Sequence, residues 1–470
     1  MHLTCGYVEP IFEKPKEKLC DLQQKRMSSL DLSNSIAIRL TRFFMRFTGI
    51  WITHSPREHF FMELTTTYAI STIVISWQIN GTDLWFCRAD LQKAIYAACN
   101  VLTLLLITIK LGMFAWRREK FVNLIKFCYE NFWQVHYDAC DVNIMKTCEL
   151  KCVLFVGLFT LFAWSTVCAY TAYPIVENLG INDSERIHAF PIRFSFIPAT
   201  TTPYFELIFI TEELALIHAG ICYFCFDNIL CIMNVHTAGQ FRILQRKLET
   251  TLTAEENNYS GTLKDCIGKH QFLIGFAESL EDMYKFVILA QFIIFSLLIC
   301  LVSYQAVLAE GELSRRMIFI VHSAGTFTQL FMFTLTCDDL MRESAAVAEA
   351  AYRARWYHWL SNPSLRHLGK DLMFVMMRAR RPCCLTAGDF FPISLETFTT
   401  VRIFSYNKIK PFAAFLLHNH THVLFKFLIS DTDHVNVLFD SVKEWPRERI
   451  VAFLNPPNVR KTAFKCKIVE

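Results

Sequence analysis

Seven apolar runs, each close to the length a helix needs to cross a bilayer, constrain this chain more than any other feature. A hydrocarbon core about 30 Å thick takes about 20 residues of helix. The runs fall at 60–79, 94–116, 152–175, 207–233, 286–307, 317–337 and 390–406. Composition agrees: 53% of the 470 residues are hydrophobic and 43 are Phe, while 19% are charged against about 25% in ordinary soluble domains. The expected fold is an all-α membrane protein with seven transmembrane helices. It divides into a cytoplasmic segment at 1–59, a seven-helix domain at 60–406 and a tail at 407–470. A net charge of +4 gives no electrostatic support for nucleic-acid binding. Many of the 18 cysteines, such as Cys99, Cys152, Cys222 and Cys231, lie inside the apolar runs, where a free thiol behaves as a small hydrophobe. The first forty residues are mixed and charged, so the first run is expected to direct insertion.

Orientation follows from basic residues in the flanks, which are retained in the cytoplasm. Residues 1–59 carry nine Lys or Arg, and the six connections then carry 1, 5, 2, 5, 2 and 8. This alternation predicts a cytoplasmic N-terminus and, with seven spans, an extracellular C-terminus. The glycosylation sequons at Asn80 and Asn182 fall in connections expected outside, while the one at Asn258 falls inside.

The longest inner connection, 338–388, has its own pattern. Leu365, Leu368, Leu372 and Val375 recur on one helical face after Pro363, with Ser361 and Asn362 as candidate caps. The sixth helix is expected to continue inward through Glu349 and Tyr352. Similar patterns in the second and fourth connections predict a packed cytoplasmic helical layer. Asp227, in the inner half of the fourth run, is expected to hydrogen-bond within that layer. Glu212 and Glu213 are expected at a solvated outer mouth.

Seven spans with an inner N-terminus invert the G-protein-coupled receptor arrangement. Leu40 to Trp51, Asp227 to Leu244, Cys266 to His270, Ala350 to Tyr352, Arg378 to Pro382, Leu385 to Gly388 and Phe391 to Phe398, taken in order, resemble the insect odorant receptor family. Leu40 to Trp51 looks like a pre-span helix ending in Gly49-Ile50-Trp51. Asp227, His236, Gly239, Gln240 and Leu244 match the run out of the fourth helix. Cys266-Ile-Gly-Lys-His270, Ala350-Ala-Tyr352 with Trp356 and Lys370, Arg378-Ala-Arg-Arg-Pro382, Leu385-Thr-Ala-Gly388 and Phe391 to Phe398 follow at family spacing. The likeness spans roughly residues 30 to 406. At the inner end of the sixth span, Cys337-Asp-Asp-Leu340 departs from the family's aromatic-glycine pair.

The resemblance implies a tuning subunit of an odorant-gated, non-selective cation channel in the plasma membrane of olfactory sensory neurons. It also implies assembly with a co-receptor subunit into a heterotetramer. A small volatile would bind in the outer half of the bundle, and the seventh helices would line the pore. A volatile's site needs aromatic walls and few polar groups. On the expected topology the candidates are Tyr96, Trp164, Tyr170, Tyr173, Phe205, Phe209, Phe319 and His322. The pore candidates, spaced by three or four, are Ser394, Phe398, Val401 and Ser405.

No cofactor, metal or catalytic role is expected. His418, His420 and His422 alternate in the tail without a second cluster of ligands, and no Ser/His/Asp order or phosphate-cradling glycine loop occurs. A gustatory receptor of the same superfamily is the alternative, although its Thr-Tyr…Gln-Phe signature is missing from the seventh run. A non-conducting form with a defective seventh helix is the other. The tail carries ten Lys or Arg. It is expected to be poorly packed, as an altered last exon or a read-through would leave it.

Overall fold

The structure is a computed structural model that describes residues 32–53, 55–179, 186–188, 190, 200–251, 259–307, 313–354 and 366–399. Asn182, Ser361, Asn362, Val401, Ser405 and the expected tail at 407–470 lie outside the described residues.

The architecture is helical. After a 3-10 turn at Leu32–Asn34 come α1 (Ile36–Phe47), α2 (Pro56–Cys87), α3 (Leu91–Trp116) and α4 (Arg118–Cys128). A π-turn at Tyr129–Trp133 leads to α5 (Ala139–Glu177), α6 (Tyr204–Thr251), α7 (Tyr259–Val307), α8 (Leu313–Arg353) and α9 (Arg366–Ala379). Two short strands, β1 (Thr386–Ala387) and β2 (Phe391–Pro392), precede a last helix, α10, described over 395–399.

Helix starts are written in the sequence. The Ser35 hydroxyl accepts from the Ile38 amide at 3.2 Å, Ser55 from Glu58 at 3.3 Å, and Asp90 from Lys93 at 3.2 Å. Each satisfies one of the amides a helix N-terminus leaves without an internal partner. Pro56 stands at the first position of α2, where its missing N–H is harmless.

Helices α3, α5, α6, α7 and α8 are long and apolar enough to cross a membrane. The last four have 39, 48, 49 and 41 residues. At the rise of an α-helix they are about 59–74 Å long, roughly twice the hydrocarbon core. Their surplus gathers at one end with α4 and α9 into a helical layer. Helix α2 covers the first expected span with 32 residues, its apolar stretch interrupted by hydroxyl side chains. Thr65, Thr66, Thr67 and Ser71 return their hydroxyls to carbonyls of the same helix, so these side chains need no outside partner. Phe60, Phe61, Leu64, Ile70 and Val74 face outward on it.

Helix α6 is central, packed against α1, α2, α3, α5, α7 and α8. It is buried nearly all round between Cys222 and Gln240, as expected of a helix with partners on every side. Glycines set the closest crossings. A Cβ on Gly239 would meet Cys148 Sγ at 2.7 Å, and one on Gly220 would meet Val167 at 3.2 Å.

The layer is fastened by polar contacts. The Trp133 indole donates to His236 Nδ1 at 2.8 Å, and the Gln240 amide donates to the Tyr137 hydroxyl at 2.7 Å. Arg246 binds buried Asp141 at 2.6 Å, Arg242 reaches Glu343 at 2.8 Å, and Lys151 reaches Asp339 at 2.9 Å. Helix α8 extends through Glu349 and Tyr352, and α9 buries Leu368, Leu372 and Val375, both as the sequence pattern predicts.

Three sequence expectations are corrected. The connection placed at 80–92 is short, because α2 continues to Cys87 and α3 begins at Leu91. Asn80 is therefore a buried helical residue, 7% exposed, whose amide donates to the Ser76 carbonyl at 2.9 Å; it has no room for a glycan. The run placed at 390–406 starts as a hairpin. Gly388 and Asp389 have φ of 59° and 65°, which turns the chain, and Thr386 pairs with Pro392. The hairpin docks on α7: the Gly388 amide donates to the Lys285 carbonyl at 3.0 Å, and the Lys285 ammonium meets Asp389 at 2.8 Å.

Asp227 does not serve the inner layer. It pairs with Lys110, from the C-terminal third of α3, at 2.7 Å, and both are buried. The Lys110 ammonium also donates to the Tyr223 carbonyl at 3.0 Å and lies 5.1 Å from the Tyr223 ring centroid. Gln291 of α7 donates to the same Asp227 oxygen at 3.2 Å, and Gln329 of α8 donates to it as well. Four helices meet on one carboxylate.

Two outcomes test this account. Gly49 has φ of +75°, and a Cβ there would come within 2.4 Å of the Met62 carbonyl oxygen on α2. Gly49→Ala should destabilise the fold by about 1–3 kcal/mol and lower surface delivery, as read by surface labelling. Asp227→Leu alone should cost about 3–5 kcal/mol by leaving Lys110 charged and unpaired, while Lys110→Met with Asp227→Leu should recover most of it. Detergent melting of the single and double variants checks this.

Candidate functional site: a cavity between five helices

At the end of the bundle opposite the α4/α9 layer, α2, α3, α5, α6 and α8 separate around a cavity of about 520 Å³. This volume is in the range of small-molecule sites. The α5 wall follows helical periodicity: Phe159, Phe162, Ala163, Thr166, Val167 and Tyr170 share one face. On α8, His322, Gly325, Thr326 and Gln329 do the same. Gly325 lets α8 approach Phe162, whose Cβ lies 3.4 Å from where a glycine Cβ would stand. Ile75 and Ile79 of α2, Leu104 and Ile107 of α3, and Leu216 and Phe224 of α6 complete an apolar lining.

Polar groups are few, and most are engaged. The Tyr170 hydroxyl donates to Asn100 Oδ1 at 3.1 Å. Thr103, Thr166 and Thr326 donate to carbonyls of their own helices. The floor is Tyr223 and Gln329, so the cavity rests directly on the Lys110–Asp227 pair. Toward the open end, Glu212 is buried rather than solvated, and His188 Nδ1 lies 3.2 Å from its carboxylate. Its neighbour Glu213 is half-buried and accepts from the Thr171 hydroxyl. His322 and Tyr223 differ: both line the cavity, while His322 Nδ1 and the Tyr223 hydroxyl are buried without a hydrogen-bond partner among the described residues. A group left so costs about 1–3 kcal/mol.

Of the eight residues the sequence singles out, Tyr170 and His322 line the cavity. Tyr96 and Phe319 stand behind the wall, with ring centroids 5.8 Å apart, and Tyr96 lies 6.4 Å from Tyr170. Phe205 and Phe209 stack on each other at 6.2 Å, and Phe205 lies 4.6 Å from His188, beside Glu212 rather than on the cavity. Trp164 and Tyr173 are half-buried on α5 and are not part of the lining. Trp164 is rotated off the cavity stripe, and Tyr173 continues the stripe one turn past its end. Phe190 stacks on Tyr170 at 5.9 Å and joins the lining. The sequence reading missed Ala163, Asn100 and Gln329. Polar Asn100 and Gln329 inside apolar runs are the signal that finds the last two.

Of the pore candidates, Ser394 lies ahead of α10 and caps it. Its hydroxyl accepts from the Thr397 amide at 3.4 Å, and its own amide donates to Thr397 Oγ1 at 2.9 Å. It therefore lies outside the helical face on which the spacing placed it. Phe398 packs edge-on against Phe331 of α8 at 5.4 Å.

Residues 90–406 match the family described as 7tm Odorant receptor. Odorant receptor 13a of Drosophila melanogaster is 24% identical over 383 residues, which cover 76% of this chain and 90% of that one. Odorant receptor 30a of the same species is 22% identical over 281 residues, covering 59% and 71%. In fold, the chain is similar to the insect olfactory receptor OR5 of Machilis hrabei, solved in complex with eugenol. The TM-score is 0.70 at 16% identity, over 79% of this chain and 96% of that one. The long helices, their order and a family match across well over half of the sequence agree: the chain is a multi-pass membrane protein that belongs to the insect odorant receptor family.

Proposed function

We propose that the chain is the ligand-binding subunit of an odorant-gated, non-selective cation channel, assembled with a co-receptor subunit in the plasma membrane of olfactory sensory neurons. The observation that carries this reading is the apolar cavity between α2, α3, α5, α6 and α8, of a size suited to a small volatile. Family membership supports it. The alternation of basic residues supports an inner N-terminus and, with seven spans, an outer C-terminus, a topology on which the cavity would lie in the outer half of the bundle. A volatile would enter there, and Asp338, Phe331 and the start of α10 would sit on the cytoplasmic side, toward the pore.

Co-expression with a co-receptor subunit and current recording under a broad volatile panel tests the reading; silence from a complex present at the surface overturns it. Ala163→Trp, which fills the cavity from α5, should raise half-maximal ligand concentrations about tenfold or more at unchanged surface delivery, equivalent to about 1.4 kcal/mol of lost binding. An N-terminal epitope tag should be stained in permeabilised cells and not in intact ones.

A further inference from the structure

The cavity's polar inventory is lopsided. Asn80, Thr103, Thr166 and Thr326 donate to backbone carbonyls of their own helices, Tyr170 donates to Asn100, and Gln329 donates to Asp227. These side chains already hold partners within the protein. His322 is 9% exposed and lines the cavity, and among the described residues its Nδ1 has no partner. Glu212 also presents an unpartnered oxygen, but its other oxygen is engaged by His188 at 3.2 Å. His322 and, on the floor, Tyr223, whose hydroxyl is likewise buried without a partner, are thus the wall residues whose unpaired side-chain atoms await something the described residues do not supply. Of the two, His322 is the one that can accept and donate from separate nitrogens of a ring held beside the apolar wall.

A neutral imidazole has one nitrogen that accepts and one that donates. It can receive a hydroxyl proton or donate to a carbonyl oxygen. The surrounding wall, with Phe162, Leu104, Ile107 and Val167, offers only apolar contact to the rest of a ligand. A site that holds a hydrogen-bonding group unpaired discriminates strongly against an analogue that cannot satisfy it. Resting on the ligand-binding reading above, we propose that the cavity takes small oxygenated volatiles, alcohols, phenols or aldehydes, with the oxygen on His322. Hydrocarbons of the same shape are rejected because they leave the imidazole unpaired.

The test uses the full chain with a co-receptor subunit and sets of matched probes in aromatic, linear and branched series. Each set holds an alcohol, its aldehyde, the amine, and the hydrocarbon with methylene in place of oxygen; benzyl alcohol, benzaldehyde, benzylamine and ethylbenzene form one. The native chain should respond to oxygenated members at concentrations about tenfold or more below the hydrocarbon, the worth of one hydrogen bond to a buried partner. His322→Phe should abolish that difference by weakening the oxygenated members alone, and His322→Gln, which still accepts and donates, should retain it. Equal potency of hydrocarbon and alcohol in the native chain overturns the proposal. So does a parallel shift of every probe in His322→Phe with native surface delivery, or a preference for the amine, which Glu212 would hold. In each of these cases responses persist, so the ligand-binding reading stands. Silence toward all sets overturns both.

Discussion

One buried carboxylate organises the membrane part of this chain. Asp227 sits among apolar residues of α6, where an unpaired charge is not tolerated. Lys110 answers it from α3, Gln291 from α7 and Gln329 from α8. Apolar helix faces in lipid have no strong reason to prefer one rotation over another, since lipid tails are as apolar as leucine. A hydrogen-bonded cluster removes that freedom, because each partner must aim at a single point. The rotation of α8 that brings Gln329 to Asp227 also turns Gly325 and His322, one and two turns earlier, toward α5. Tyr223 belongs to both systems, with its carbonyl on Lys110 and its side chain on the cavity floor. The cavity is the space left above the cluster.

What the sequence shows and what it hides follow from range. Spans are local, since twenty apolar residues in a row satisfy the bilayer whatever lies elsewhere. The amphipathic face of α9 and the inward reach of α8 are local too, and both are legible. The Lys110–Asp227 pair joins positions 117 residues apart. Each charge is conspicuous alone in its apolar run, but nothing local says that they meet. Assigning Asp227 to the inner layer treated it as a lone polar group. Its depth is the better guide: Lys110 lies 19 residues into α3 and Asp227 23 into α6, so helices entering from the same side bring them level. Asn80 went the other way. The end of an apolar run is not the end of a helix, and α2 continued past it.

The cavity teaches the same lesson at finer scale. Choosing aromatic residues near one membrane face recovered Tyr170 and His322, which lie on the inward stripes of α5 and α8. It also gathered Trp164, which size favours and rotation excludes. Ala163, its neighbour, faces the cavity because it is on the stripe with Phe159 and Phe162. Residue type selects what could touch a ligand. Helix phase, set by packing against α6 and by the central cluster, decides what does.

The segment after residue 388 shows how far the cluster's influence extends. Helix α8 carries Gln329 on Asp227, then Phe331 on Phe398, then Asp338, whose carboxylate accepts from the Leu395 amide at 3.4 Å as α10 begins. An α-helix of this length, hydrogen-bonded along its own axis, shifts as a unit on the scale of a side chain. The same helix that forms part of the cavity wall therefore also touches the start of α10. On its other side, the hairpin is held to α7 by Gly388 and Lys285. The last helix consequently starts between one anchor on α7 and one on α8, and α7 and α8 are joined to each other through Asp227. A continuous set of packed side chains and backbone contacts thus joins the cavity wall to the start of α10 in the fold.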